Sequence, residues 1–259
     1  MPSGYVQIEQ QSRPQGVVYT LTASRPERLN ILDSVALQDL EIALANIASD
    51  EQARVVVLAG AGPKAWIAGA DVREMQKLER PSAIEFVRRL HRVFNAVREL
   101  PVPVLAQITG YCLGAGLELA ASCDLRVASD DSRFGMPEVQ VGIPSVVEAA
   151  LLPRLIGSGR ARDLVLTGRL LNAGEALAWG LVEAVATRDG LHALVEERVD
   201  YILNAGPQAI RLQKALCRQW EELPLSEAVQ RGIEAFGRAY EGDEPRTYME
   251  RFLTRGEQE

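Results

Sequence analysis

Apolar side chains recur at Leu37, Leu40, Leu44 and Ile47, a helical spacing, with Ser34 as the expected N-cap. Ile84, Val87, Leu90, Phe94 and Val97 predict a second amphipathic helix, stopped near Pro101. Between and around them lie short runs rich in β-branched residues. Residues 17–21 read as a strand closed by Arg25-Pro26, and 54–59 as a buried strand running into Gly60 and Gly62. Residues 103–108 and 124–128 read as two more. From about residue 145 the texture becomes helical, with helices predicted at 146–156, 159–167, 173–179, 190–204, 207–221, 225–241 and 244–254. Only 181–185 interrupts them as a strand. Strands alternating with helices and followed by a helical tail predict an α/β core with a C-terminal helical region. No repeat, low-complexity segment or linker is visible.

Composition narrows the classes. The 259 residues suffice for one large domain or a domain with an appendage. A formal net charge of -7 argues against a nucleic-acid partner, because phosphate backbones need clustered Lys and Arg. A local basic patch for a small phosphorylated ligand stays open. Three scattered cysteines, Cys112, Cys123 and Cys217, have no metal-binding spacing and fit a reducing, cytoplasmic compartment. No metal is expected. The N-terminal MPSGYVQIEQ lacks the basic-then-apolar pattern of a signal peptide. Residues 102–123 carry one formal charge, but the glycines at their centre, Gln107 and Glu118 favour a buried strand–turn–helix over a membrane span.

Three kinds of chemistry compete around 109–124. Gly110-Tyr111-Cys112-Leu113-Gly114 has the form of a nucleophile elbow with cysteine, but a catalytic thiol needs a base. The two histidines, His91 and His192, stand in helical stretches without a motif and read as helix-surface residues, so Cys112 is expected to pack in the core. The glycines match no nucleotide-phosphate loop. If a helix opens near Ala115, its first amides lack partners and face the positive end of the helix dipole, where an oxyanion is stabilised; a turn that only permits close packing reads equally well. A second small-residue turn, Ala65 to Met75, leads to a helix start at Asp71, and two such turns are able to aim two amides at one oxygen. Glu118 and Glu138 both stand among apolar neighbours. Each alone suits a structural carboxylate; together they offer a general acid/base pair, with burial raising their pKa values.

Taken in order, Arg25-Pro26-Glu27-Arg28-x-Asn30, AGADVREM (68–75), GYCLGAGLELAASCDLRVAS (110–129), FGMPEVQVGIP (134–144) and LTGRLLNAGEALAWGLVEAV (166–185) resemble the enoyl-CoA hydratase/isomerase, or crotonase, family over nearly the whole chain. The resemblance implies a spiral of ββα units over residues 1–195. A C-terminal helical region (196–259) would serve oligomerisation and the CoA pocket of a trimer or a dimer of trimers. It implies an acyl-CoA thioester substrate, with coenzyme A part of that substrate and no separate cofactor. The oxyanion amides would be those of Ala70 and Ala115. Glu118 would activate water, and Glu138 would exchange the Cα proton. Arg28, Ala68, Asp71, Val72, Arg73 and Gly114 would contact CoA, joined by Phe252 and Arg255 acting on a neighbouring subunit. The implied reaction is hydration of a 2-enoyl-CoA; the alternatives are isomerisation, decarboxylation or hydrolysis through the same enolate, or acyl-CoA binding without catalysis.

Three departures from the family pattern bear on specificity. Ala115 replaces a commoner glycine but keeps its N–H. Trp66 stands where phenylalanine is frequent and is expected at a wall near CoA. Ser145-Val146-Val147-Glu148 replaces a Gly-rich run, and Glu148 reads as solvated surface or as a contact for a polar acyl group.

Overall fold

The computed structural model describes residues 4–256. Ten strands form two sheets. The larger contains β1 (Val6–Arg13), β2 (Gly16–Ala23), β3 (Ala53–Gly60), β5 (Val104–Ile108), β7 (Leu125–Ser129) and β10 (Ala184–Ala186), in that order. The smaller contains β4 (Ala65–Ile67), β6 (Tyr111–Leu113), β8 (Arg133–Gly135) and β9 (Leu170–Asn172). Only β1–β2 and β8–β9 pair antiparallel; the other ladders are parallel.

The chain climbs as a spiral. Each turn lays one strand in the large sheet, one three-residue strand in the small sheet, and then a helical segment. After β4 come α2 (Val72–Met75) and α3 (Arg80–Glu99). After β6 comes α4 (Ala115–Ser122), and after β8 a 3-10 turn, Pro137–Val141. The first turn is vestigial. Helix α1 (Ser34–Ala48) follows β2, and the small sheet receives from that turn only Leu32, bridged in parallel to Ala70.

Parallel strands covered on both faces must be apolar throughout, and residues 53–58 of β3 are all buried. Alternate residues face opposite ways. Val56 and Leu58 join the main core. Val55 and Val57, with Val18, Leu105 and Val127, pack under Leu191, Val195, Val199 and Leu203 of α8 (Leu191–Asn204). The expected boundary at residue 195 thus falls inside a helix seated on the sheet. Helices α5 (Leu152–Ile156), α6 (Ser158–Thr167) and α7 (Ala173–Trp179) precede α8. Helices α9 (Pro207–Glu222), α10 (Leu225–Ala239) and α11 (Glu244–Gly256) complete the C-terminal region. Two buried cations tie this region to the core. Arg54 donates to the carbonyls of Ile202, Leu203 and Ala205 at the C-terminal end of α8, where a positive charge is favoured. Lys214 of α9 donates to Val97 O, Val102 O and Asp124.

Several elements differ from the sequence expectation. The N-cap of α1 is Asp33, whose carboxylate accepts from Ala36 N at 2.8 Å; the Ser34 hydroxyl is engaged by Glu74 instead. The helix expected over 146–156 is split into a 3-10 turn, Val147–Leu151, and α5. Pro153 has no N–H and restricts the residue before it, so one α-helix cannot run through. The strand expected at 181–185 begins only at Ala184, because Leu181 O and the Glu183 carboxylate are used to hold the buried Arg126.

Candidate active site

The small sheet positions the site. Strands β4, β6 and β8 are parallel neighbours and end at the same edge, so the segments leaving them converge there. Ligands in α/β sheets characteristically lie at that carboxyl edge. A cavity of about 480 Å³ opens here, lined by Ala68, Gly69 and Ala70 after β4, by Gly114, Ala115 and Glu118 after β6, and by Pro137, Glu138 and Gln140 after β8. Its remaining wall is apolar: Val72, Met75, Leu78, Ala83, Phe86, Val87 and Leu90 on one side, and Val141, Ile143, Pro144 and Val146 on the other.

Ala70 and Ala115 come to the lining of this cavity by different routes. Leu32 takes Gly69 O and Asp71 N into its bridge, which turns the intervening Ala70 N–H to the opposite side. Ala115 is the first residue of α4, and its N–H has no intrahelical acceptor. Gly114, just before it, has φ +50° and ψ -123°, a conformation open to glycine. A Cβ there would lie 2.5 Å from Glu138 Oε1. The glycine therefore lets the Glu138 carboxylate approach the backbone. Gly116 serves packing: a Cβ on it would meet Ile67 O at 2.2 Å, so its absence lets α4 lie directly on β4.

All eight residues of α4 are buried, and Glu118 among them is only 3% exposed. Its Oε1 is buried without a hydrogen-bond partner. Burial, followed by the neighbouring Glu138 charge, pushes its pKa up to about 8, against the pull of the Ala149 and Val146 amides. Glu138 is half-buried, and its Oε2 accepts from Ser145 Oγ at 2.9 Å. Burial raises its pKa as well, while its own backbone N–H and Ser145 oppose the shift. Burial thus raises both acids, and the Glu138 charge adds to the shift on Glu118.

Glu148 is neither solvated surface nor an acyl contact. It is 4% exposed, lies outside the cavity lining, and places Oε1 2.7 Å from His91 Nδ1. The 3-10 turn that carries it runs through Val147, whose φ of +38° is strained for a β-branched residue. His91 has an exposed side chain, as expected of a helix-surface residue, but its ring is committed to this buried acid. The sequence marked Glu148 only as a departure; nothing local ties it to a histidine 57 residues away.

Of the other expected contacts, Ala68, Val72 and Gly114 line the cavity. Arg28 donates to Asp71 Oδ2 at 2.6 Å and reaches Asp33 at 3.4 Å, while Asp71 caps α2 through Arg73 N. Arg28 and Asp71 thus brace the loop, and Arg73 is exposed beside it. Phe252 on α11 is 77% exposed and does not reach the cavity of its own chain. The Arg255 side chain lies outside the described residues. Trp66 is not a wall of the site: it is fully buried and donates from Nε1 to Leu58 O. Cys112 is fully buried, and burial holds its thiol well above the ordinary range, so it stays protonated and packs. Among the described residues no group of three or more His, Cys, Asp or Glu is placed to hold a metal ion, and no helix is long and apolar enough to cross a membrane. A second cavity of about 350 Å³ lies behind α4, against α9, and contains neither Glu118 nor Glu138.

Two stacked layers wound as a spiral, with the Ala70 and Ala115 segments and two acids gathered at the carboxyl edge of the smaller sheet, frame a cavity with the features of an enzyme active site. The chain belongs to the enoyl-CoA hydratase/isomerase family, whose model matches residues 13–259. It is 34% identical over 240 residues to a short-chain-enoyl-CoA hydratase of Clostridium acetobutylicum, covering 92% of each chain. It is likewise 34% identical over 234 residues to a crotonyl-CoA hydratase of Syntrophomonas wolfei, covering 90% of each. The crystal structure of an enoyl-CoA hydratase from Bacillus anthracis superposes with a TM-score of 0.92 at 31% identity, covering 97% of this chain and 96% of that one.

Proposed function

We propose that the enzyme adds water across the 2,3 double bond of an enoyl-CoA thioester. The observation that carries this reading is the meeting of two carboxylates, Glu118 and Glu138, in the cavity that the Ala70 and Ala115 segments also line. The thioester oxygen lies between the two amides. As charge develops there, each donor contributes about 3 kcal/mol to the transition state. The pair shares one proton; with it on Glu138, ionised Glu118, which its raised pKa makes a strong base, takes a proton from water while the oxygen of that water bonds to Cβ, and Glu138 gives its proton to Cα. Isomerisation or decarboxylation would need only one such acid; hydration uses both. The relatives named for hydration of short enoyl-CoAs support the same reading.

The apolar walls and the absence of a cation from the cavity lining favour an uncharged acyl chain. A terminal acyl carboxylate would face Glu118 and Glu138 with no counter-charge. We also propose that chains associate through the C-terminal helices. The Phe252 side chain would then reach the CoA of a neighbouring copy.

The test is turnover of crotonyl-CoA, followed by loss of conjugated-thioester absorbance and by product mass. Glu118→Gln and Glu138→Gln are each expected to lose a factor of about 10²–10⁴ in kcat, the usual range for a general acid or base, while binding of CoA ligands persists. A double variant with undiminished turnover, or a product without the added mass of water, would refute the proposal.

A further inference from the structure

An acid that exchanges a proton with Cα has to aim one oxygen at it, and Glu138 stands on a short 3-10 turn instead of a long helix. Each of its oxygens has its own neighbour. Oε1 lies so close to Gly114 that a Cβ there would be 2.5 Å away. Oε2 accepts from Ser145 Oγ at 2.9 Å. Ser145 therefore occupies one oxygen and leaves the other, beside the start of α4, for the reaction. Oε2 accepts from the hydroxyl whether or not Oε1 carries a proton.

A serine holds a partner only as firmly as its backbone is held. Ser145 stands two residues before Val147, where the Val147–Leu151 turn begins. Val147 has φ +38°, and such strain persists only where the surroundings over-determine it. Glu148 supplies a constraint. It is 4% exposed, with Oε1 2.7 Å from His91 Nδ1 and Oε2 without a partner. His91 follows Leu90 on α3, the helix that forms one wall of the cavity. The turn itself packs against both α3 and α4. The His91–Glu148 bond thus runs from that wall to the segment that holds Glu138. Without it the Glu148 carboxyl would be buried with no partner at all, a costly state that movement of the turn toward solvent relieves.

Resting on the hydratase reading, we propose that Ser145 is a positioning residue for the Glu138 carboxyl and that the bond between His91 and buried Glu148 anchors the turn from which Ser145 works. The departure at residues 145–148 from the Gly-rich family run then has one purpose: a hydroxyl on Glu138 and a carboxyl that fastens the hydroxyl's own segment to α3. None of the three residues touches a reacting atom; all act through Glu138. The ionisable groups nearby are Glu118 on α4, which feels the charges of Glu138 and Glu148, and His91 and Arg98 on α3, which act on Glu148. The turn of Glu138 also packs on α6, whose Arg160, Arg162 and Asp163 are absent from the cavity lining.

The decisive variants are Ser145→Ala and the surface change His91→Ala. Ser145→Ala is expected to lower kcat on crotonyl-CoA about tenfold, less than loss of the acid itself, with KM within twofold. The Ser145 bond favours ionised Glu138, so without it the acid-side fall of kcat/KM moves to higher pH. Ser145→Thr, which keeps the hydroxyl, restores both. His91→Ala is expected to lower kcat about threefold, and His91→Asn, whose amide nitrogen can stand in for Nδ1, repairs it. The double variant with Ser145→Ala should be no slower than Ser145→Ala alone, because the anchor acts only through the hydroxyl. Wild-type kcat and an unmoved acid limb in Ser145→Ala overturn the proposal, and losses that multiply in the double variant overturn the anchor. A further measurement needs no substrate: the Glu138 carboxyl carbon, followed by NMR in the unliganded chain, should titrate at higher pH in Ser145→Ala. An unchanged titration overturns the role of Ser145. Absence of any wild-type turnover would instead remove the hydratase reading, and the Glu138 titration would still decide whether Ser145 holds that carboxyl.

Discussion

At the scale of single residues, the cost of ionising Glu118 sets stability against pH and, on the proposed mechanism, rate as well. Its ordinary pKa of 4.5 applies in the unfolded chain and about 8 in the folded one. The folded state therefore binds the proton more tightly, and the stability this confers is complete below about pH 4.5 and lost as pH rises through about 8. Glu118→Gln removes the dependence. Its melting temperature should match that of the wild type in acid and exceed it by roughly 5 °C at pH 9. A thermal scan at several pH values checks this; parallel curves would mean that the carboxyl is not buried as described. On the proposed mechanism the same titration limits catalysis. The pair works with one proton, so kcat/KM should fall as pH rises through about 8 and fall again in acid, as the second proton binds above the ordinary carboxylate range. Gly114 is the third residue whose role is local. Gly114→Ala puts a methyl group 2.5 Å from Glu138 Oε1 at a positive φ, so kcat should drop about 100-fold while CoA binding persists, as steady-state kinetics would show.

At the scale of elements, α3 decides what fits beside the acids. Its Ala83, Phe86, Val87 and Leu90 form one side of the cavity and carry no charge. Each methylene buried against such a wall contributes about 0.8 kcal/mol, so kcat/KM should rise about fourfold per added carbon until the cavity is full. Leu90→Trp should abolish this gain for longer chains and spare crotonyl-CoA. A series of enoyl-CoAs of increasing length reads the result, and an unchanged series in the variant would place the acyl chain elsewhere. The apolar face of α3 was legible because a long amphipathic helix repeats its signal. Strands β2, β3, β5 and β7 were legible as β-branched runs. The strands that aim the site were not: β4, β6 and β8 have three residues each, too few to show a period of two, and the sequence read their surroundings as turns. Their location emerged from the order of the family motifs. Glu148 escaped both routes, since its partner is distant in sequence and the family pattern has no carboxylate there to compare.

At the scale of the molecule, α10 poses a problem that one chain does not solve. Ala228 and Ala235 are buried on its inner side, where α10 packs on α9. The outer side presents Leu225, Val229, Ile233, Phe236 and Tyr240 to solvent, spaced by three and four residues, and α11 adds Met249, Phe252 and Leu253. A helix apolar on both sides suits burial on both sides, and a contiguous apolar patch of this kind marks an interface. The formal charge of -7 keeps chains apart at long range, so the proposed association would come from apolar contact. Burying each large side chain yields about 1.5–3 kcal/mol, and five on one stripe outweigh the entropic cost of association where packing is good. Ile233→Glu with Phe236→Glu places two unpaired charges at the centre of that stripe. The wild type should sediment as a multiple of the 28.3 kDa chain and the double variant as a single chain. The fold should survive, because neither side chain belongs to the core. KM should rise in the double variant if a neighbouring Phe252 completes the CoA site, whereas kcat at saturation, which the proposed mechanism assigns to Glu118 and Glu138 within one chain, should change little. A wild type that sediments as one chain with full affinity for substrate would assign the stripe to a different partner.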